Sequence, residues 1–173
     1  MPESNTRISV ALVDDQPLFL AGIRMLVESQ KDMVFSWEAG DGLKAAELAA
    51  ELRPDVILMD LRMPVVDGVE ATRRIVAEAE GTGSDPPRII ALTTFNRDQA
   101  VVQAVQAGAS GYLLKSAEPE FLLAAIRTVH TGYSVIAPVS IHSLFEHAAR
   151  SALPREPDLS AIEVLSARER EKA

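Results

Sequence analysis

The residues with chemistry to offer stand where apolar runs stop. "VALVDDQPLF" sets Asp14 and Asp15 side by side after four apolar residues, where the two carboxylates repel each other. "DVILMD" ends on Asp60, "RIIALTTF" carries Thr93 near its end, and "GYLLK" ends on Lys115. Each has a plain reading alone: Asp14 or Asp15 as a helix cap, Asp60 as a turn former, Thr93 as a strand residue that Thr94 could replace, Lys115 as a solvated charge. Three carboxylates gathered together, however, cannot all stay ionised without a counter-charge. With no Cys in the chain and no His nearby, the donors are all oxygen. That suits a hard cation such as Mg²⁺, which keeps several waters and takes one or two carboxylates plus a phosphate oxygen. Lys115 adds a point positive charge of the kind that pairs with a phosphoryl group, and Thr93 adds a hydroxyl donor. The set reads as a site where a metal-bound carboxylate receives a phosphoryl group, with Asp14 and Asp15 holding the cation.

The elements that must position these residues alternate in type. "RISVALV" (7–13) reads as a buried strand, followed by a helix with Phe19, Ile23, Leu26 and Val27 on one face. "MVFSWEA" (33–39) is a more polar strand suited to a sheet edge, and "GLKAAELAAELR" (42–53) is an Ala-rich helix stopped by Pro54. "DVILMD" (55–60) is the most apolar strand, "GVEATRRIVAEAE" (68–80) the next helix, and "EGTGSDPP" (80–87) a loop by composition. "RIIALTTF" (88–95) and "GYLLK" (111–115) are strands around a helix over "RDQAVVQAVQAG". A last amphipathic helix covers 118–131, with Phe121, Leu122, Ala125, Ile126 and Val129 on one stripe. Repeated β-then-α units predict a parallel sheet with helices on both faces. In such sheets ligands bind beyond the carboxyl ends of the strands, the rim on which the polar residues fall.

Composition bounds the remaining possibilities. The 173 residues are 47% hydrophobic, enough for a filled core, and carry a net charge of −8, which argues against this stretch being a nucleic-acid surface by itself. No apolar run approaches the roughly 20 residues of a membrane span, and no signal peptide opens the chain, so a cytoplasmic address and no membrane partner are expected. Beyond the last strand-and-helix unit, "PVSIHSLFEHAAR" (138–150) predicts one amphipathic helix and "SALPREPD" (151–158) a linker. "LSAREREKA" then carries Ser166 and Glu169 at capping-box spacing, as if opening a second domain that has been cut away.

"ALVDDQPLFLAGI", "DVILMDLRMPVVDGVEATRRI", "IIALTTF" and "AGASGYLLK" together resemble the receiver domain of bacterial two-component response regulators, most closely the NarL/FixJ subgroup. The resemblance spans residues 7–132; residues 133–158 would be a helical linker and 159–173 the start of a LuxR-type helix-turn-helix domain. It implies a flavodoxin-like (βα)5 doubly wound sheet of order 2-1-3-4-5. Asp60 would take a phosphoryl group from a histidine kinase, and Asp14, Asp15, Asp60 and the backbone carbonyl of Arg62 would hold Mg²⁺. Thr93 and Lys115 would contact the phosphoryl oxygens, Tyr112 would move with Thr93, and Pro64 and Gly68 would shape the loop after Asp60. A homodimer on activation is implied, with DNA bound through the C-terminal domain rather than this fragment. The pattern departs from many receivers at Ser116, where they have Pro, and in the length of the 80–87 loop.

Rival chemistries meet specific obstacles. Phosphatases of the haloacid dehalogenase type resemble one another in a second Asp two places after the nucleophile, and that place is Arg62 here. A flavodoxin would need a Gly/Ser/Thr-rich phosphate loop where "VDDQPL" stands. A receiver that no longer accepts phosphate, acting as a binding module, would be expected to show an incomplete pocket. His142 and His147 do not share a helix face, and Trp37 reads as packing.

Overall fold

The computed structural model describes residues 6–94 and 98–136. Strand β1 (Ile8–Val13) leads into helix α1 (Pro17–Glu28), β2 (Met33–Ala39) into α2 (Gly42–Leu52), and β3 (Val56–Asp60) into α3 (Gly68–Gly81). Strand β4 (Arg88–Thr93) precedes α4 (Asp98–Ala107), β5 (Gly111–Leu114) precedes α5 (Pro119–His130), and β6 (Val135–Ile136) closes the described chain. The sheet order is β2-β1-β3-β4-β5-β6, with every neighbouring pair parallel.

Burial explains the order. All five residues of β3 are buried, as expected of a central parallel strand covered on both faces, while β2 exposes Val34 and Glu38 at the sheet edge. Because successive side chains leave a strand on opposite faces, the sheet sorts its residues into two layers. Val10, Leu12, Val56, Leu58, Ile90, Leu92 and Leu113 pack with Val27 of α1 and the buried stripe of α5. Ala11, Val13, Ile57, Met59 and Ile89 pack under α2 and α3, and Ala91 and Tyr112 under α4.

The helices start and stop on local signals. Pro17 and Pro119 begin α1 and α5, where a fixed φ suits the first turn. Asp41 and Asp67 cap α2 and α3, accepting the N–H groups of Lys44 and Glu70 at 2.8 Å. α3 ends in a Schellman motif: Gly83 at φ +72° lets the Ser84 N–H reach the Ala79 carbonyl at 2.9 Å and its own N–H reach Glu80 at 3.2 Å. The helix therefore runs one residue past its expected end at Glu80 and takes Gly81 from the segment read as a loop.

Two expectations change. The sheet gains a sixth strand: Val135 pairs with Gly111 and Ile136 with Tyr112, inside the stretch expected to be helical linker. Phe121 does not share the buried stripe of Leu122, Ala125, Ile126 and Val129; it is 38% exposed at the start of α5. The helix expected over 138–150, the 151–158 linker and the 159–173 segment lie outside the described residues.

Candidate functional site

The alternation that sorts the core also sorts the polar rim. Asp14 and Asp60 continue the β1 and β3 positions that face α1 and α5, and Lys115 does the same beyond Leu113. Thr93 follows Ala91 on the other face, and Ala91 is the register partner of Tyr112. The Lys115 N–H donates to the Thr93 carbonyl at 2.7 Å, so the ends of β4 and β5 are tied together. Four strands thus deliver the expected residues to one rim.

Asp14, Asp15 and Asp60 each bring one carboxylate oxygen within 4.8 Å of the others. Asp14 and Asp60 are 2% and 4% exposed, whereas Asp15 faces solvent. The capping reading of Asp14 does not hold: Gln16 occupies the N-cap of α1 without a side-chain cap, and Asp14 Oδ1 instead accepts the Gln16 N–H at 2.8 Å. Lys115 Nζ stands 2.5 Å from Asp14 Oδ2 and 3.4 Å from Asp60 Oδ2, its side chain 9% exposed. The Asp14 contact is an ion pair rather than a directed hydrogen bond, since Asp14 Oδ2 receives none.

Burial pushes the Asp60 carboxyl up to about 6, and the nearby Asp14 charge pushes the same way. Lys115 and the Arg62 N–H, which donates to Asp60 Oδ1 at 3.3 Å, oppose the rise without cancelling it. One lysine is therefore too little positive charge for the cluster. A second cation with a preference for oxygen fits the deficit, and the donor set suits Mg²⁺. Arg62 lies two residues past Asp60 in the β3–α3 connection, and its carbonyl as a ligand rests on the resemblance.

That connection is tightly held. The Gly68 N–H donates to the Leu61 carbonyl at 3.1 Å, and a Cβ on Gly68 would meet the Asp60 carbonyl oxygen at 2.0 Å. Only glycine permits this approach. Between Pro64 and Gly68 the chain makes a three-residue turn, with the Val66 N–H on the Pro64 carbonyl at 2.9 Å and Val65 at φ +70°. A β-branched residue rarely adopts that conformation, and Val65 is 92% exposed, so no burial compensates.

Tyr112 is fully buried under α4 beside Leu61, Ala91, Val101 and Ala104. All peptide bonds among the described residues are trans, including Lys115–Ser116. One rim residue escaped the sequence reading: the centroid of the Phe19 ring lies 4.7 Å from Lys115 Nζ. Its position on the apolar stripe of α1 reads the same whether it only packs or also meets a cation. At the opposite rim, a groove of about 640 Å³ is lined by Ala49, Arg53, Glu78, Pro86, Arg88 and His130. No helix among the described residues is long and apolar enough to cross a membrane.

Residues 10–127 match the family model of the response regulator receiver domain. The chain is 41% identical over 145 residues to the uncharacterized transcriptional regulatory protein YxjL of Bacillus subtilis, covering 84% of this chain and 64% of that protein. It is 40% identical over 152 residues to the transcriptional regulatory protein LiaR of the same organism, covering 86% and 70%. It thus spans slightly under two thirds of YxjL and slightly over two thirds of LiaR. Among solved structures, a LuxR-family two-component response regulator from Aurantimonas superposes with a TM-score of 0.73 at 32% identity, over 83% of this chain and 99% of that one.

Proposed function

The chain belongs to the response regulator receiver family, and from that premise we propose that Asp60 accepts a phosphoryl group from the phosphohistidine of a sensor histidine kinase. The observation that carries this reading is the convergence of Asp14, Asp15, Asp60 and Lys115 at one rim, with Asp60 buried between opposing charges. In the transfer, an Asp60 carboxylate oxygen forms the new P–O bond as the P–N bond breaks, and the electron pair leaves with the imidazole. A carboxylate needs no general base for this; it needs positioning and charge neutralisation.

Asp14, Asp15, Asp60 and the Arg62 carbonyl would hold Mg²⁺, which supplies Lewis-acid neutralisation of the phosphoryl oxygens when bound. The Arg62 N–H and the buried surroundings orient the Asp60 carboxylate. Lys115 presents its ammonium to the incoming oxygens, and the Thr93 hydroxyl donates to one of them. Phosphorylation adds about −1.5 to −2 charges. Thr93 and Tyr112, adjacent on one face of the sheet, shift together in response, biasing two pre-existing conformers. In the whole regulator this controls dimerisation and DNA binding by a LuxR-type helix-turn-helix domain, in the cytoplasm. The names of YxjL and LiaR as transcriptional regulatory proteins support that role.

Incubation with Mg²⁺ and a small acyl phosphate tests the proposal by intact mass. The expected result is a gain of one phosphoryl group that disappears in Asp60→Asn. Label retained on Asp60→Asn, or steady hydrolysis of unrelated phosphoesters, would point elsewhere. Gel filtration with a phosphoryl mimic tests the dimer: an unchanged elution volume rejects it.

A further inference from the structure

Lys115 has a neighbour that the carboxylate chemistry does not explain. Its ammonium touches Asp14 and approaches Asp60 on one side, and on another it faces the ring of Phe19 at 4.7 Å. The side chain is 9% exposed, so little water is left to hydrate a group that is strongly hydrated when free. An aromatic face attracts a cation through its quadrupole, and the attraction grows as water is removed. Pro17 starts α1 and thereby places Phe19 in the first turn, on its inward side, while the adjacent Leu18 is 90% exposed.

We propose that Phe19 is a positioning residue, its ring forming a fixed seat for the Lys115 ammonium. The inference rests on the phosphoacceptor reading above and deepens it. The carboxylates that hold Lys115 change partners during the reaction: Asp60 gains a phosphoryl group, and Asp14 shares its charge with the cation. The ring does neither. It keeps the ammonium at the rim while the charges around it are redistributed, so that Lys115 meets the phosphoryl oxygens without a search.

The test replaces Phe19 with 4-fluoro-, 3,5-difluoro- and 3,4,5-trifluorophenylalanine, which weaken the ring quadrupole in steps at nearly constant shape, alongside Phe19→Leu and Phe19→Tyr. Two readouts are taken on the intact chain. The first, in unphosphorylated protein, is the nuclear Overhauser effect between the Lys115 ε-methylene and the ring δ protons, which every aromatic analogue keeps. The second is the initial rate of Asp60 phosphorylation by acyl phosphate and Mg²⁺. The proposal expects both to fall stepwise with fluorine number, the trifluoro protein and Phe19→Leu phosphorylating roughly three- to tenfold more slowly, and Phe19→Tyr to stay near wild type. Thermal midpoints of the fluorinated proteins should stay constant. Slowing confined to Phe19→Leu, with no graded fluorine effect, would reduce Phe19 to packing and overturn the proposal. If the wild-type chain takes no phosphoryl group, the phosphoacceptor reading fails instead, and the Overhauser series alone decides the seat.

Discussion

Asp55 and Asp60 bracket the same five-residue strand, at its two ends, and their surroundings could hardly differ more. Asp55 is exposed, and its Oδ2 accepts the N–H of Ser9 at 2.8 Å and the Ser9 hydroxyl at 3.1 Å. It clips the beginnings of β1 and β3, with solvent free to screen its charge. Asp60 is buried beside a second carboxylate, receives one long backbone N–H bond, and shares one ammonium with Asp14. The rims follow the same division. Around Asp55 the groove displays Arg53, Glu78, Arg88 and His130 as exposed groups, whereas beside Asp60 the charges of Asp14 and Lys115 are crowded and nearly dry. Residue type does not separate a structural acid from the proposed phosphoacceptor; desolvation and the sign of the neighbours do.

The harshest way to break the contrast is to push the backbone away from Asp60. Gly68→Ala places a methyl 2.0 Å from the Asp60 carbonyl oxygen. It should cost at least about 3 kcal/mol in urea unfolding and abolish phosphoryl uptake; a stable, active Gly68→Ala protein would mean that the loop is slack.

A similar magnitude should appear as a pH dependence. The folded Asp60 holds its proton up to about 6, the unfolded one only to 3.8. Between those values the folded state binds more protons, so stability falls as pH rises and levels off above about 6. At about 1.4 kcal/mol per unit the loss approaches about 3 kcal/mol in metal-free buffer. Asp60→Asn should remove that component, and added Mg²⁺ should flatten the wild-type curve. Parallel wild-type and Asp60→Asn curves would show that Asp60 is not under electrostatic stress.

At the other end of the strand, Asp55→Ala should cost only about 1 kcal/mol, the usual worth of an exposed hydrogen bond. Phosphorylation should proceed at the wild-type rate; a slowed reaction would mean that the two rims are coupled. Smallest and opposite in sign, Val65→Gly should stabilise by up to about 1 kcal/mol. It releases a positive-φ strain of about 1–3 kcal/mol at the expense of greater unfolded-chain entropy. A thermal midpoint that drops would show that the Val65 turn is unstrained.

Much of this is legible in the sequence. β2 spans the 33–39 stretch read as a strand, and β1, β3, β4 and β5 lie within their expected bounds, because their apolar runs are too short for helices and alternate with helical patterns. The rim followed from strand ends alone. What escaped was either too short or three-dimensional. Two residues of β6 carry no pattern, and their pairing depends on an open β5 edge. Valine is the residue least expected at the centre of a tight turn, so Val65 gives no turn signal. The seat under Lys115 joins residues 96 positions apart, and a core-stripe phenylalanine does not announce which face of its ring is used. Gly83 was readable: a glycine just past a helical pattern marks a stop, and the neighbouring Gly81 obscured which one did so.

β6 has a mechanical corollary. Ile136 is stitched in register to Tyr112, so the last described residue sits one strand from the aromatic that the proposed function gives a switch role. A slack tether would absorb a small strand displacement as random motion. In the proposed switch a stitched one would convert it into a directed tug at Ile136, and Val135→Pro, which removes the N–H that reaches the Ser110 carbonyl at 3.1 Å, would cut that cable without touching the acid cluster.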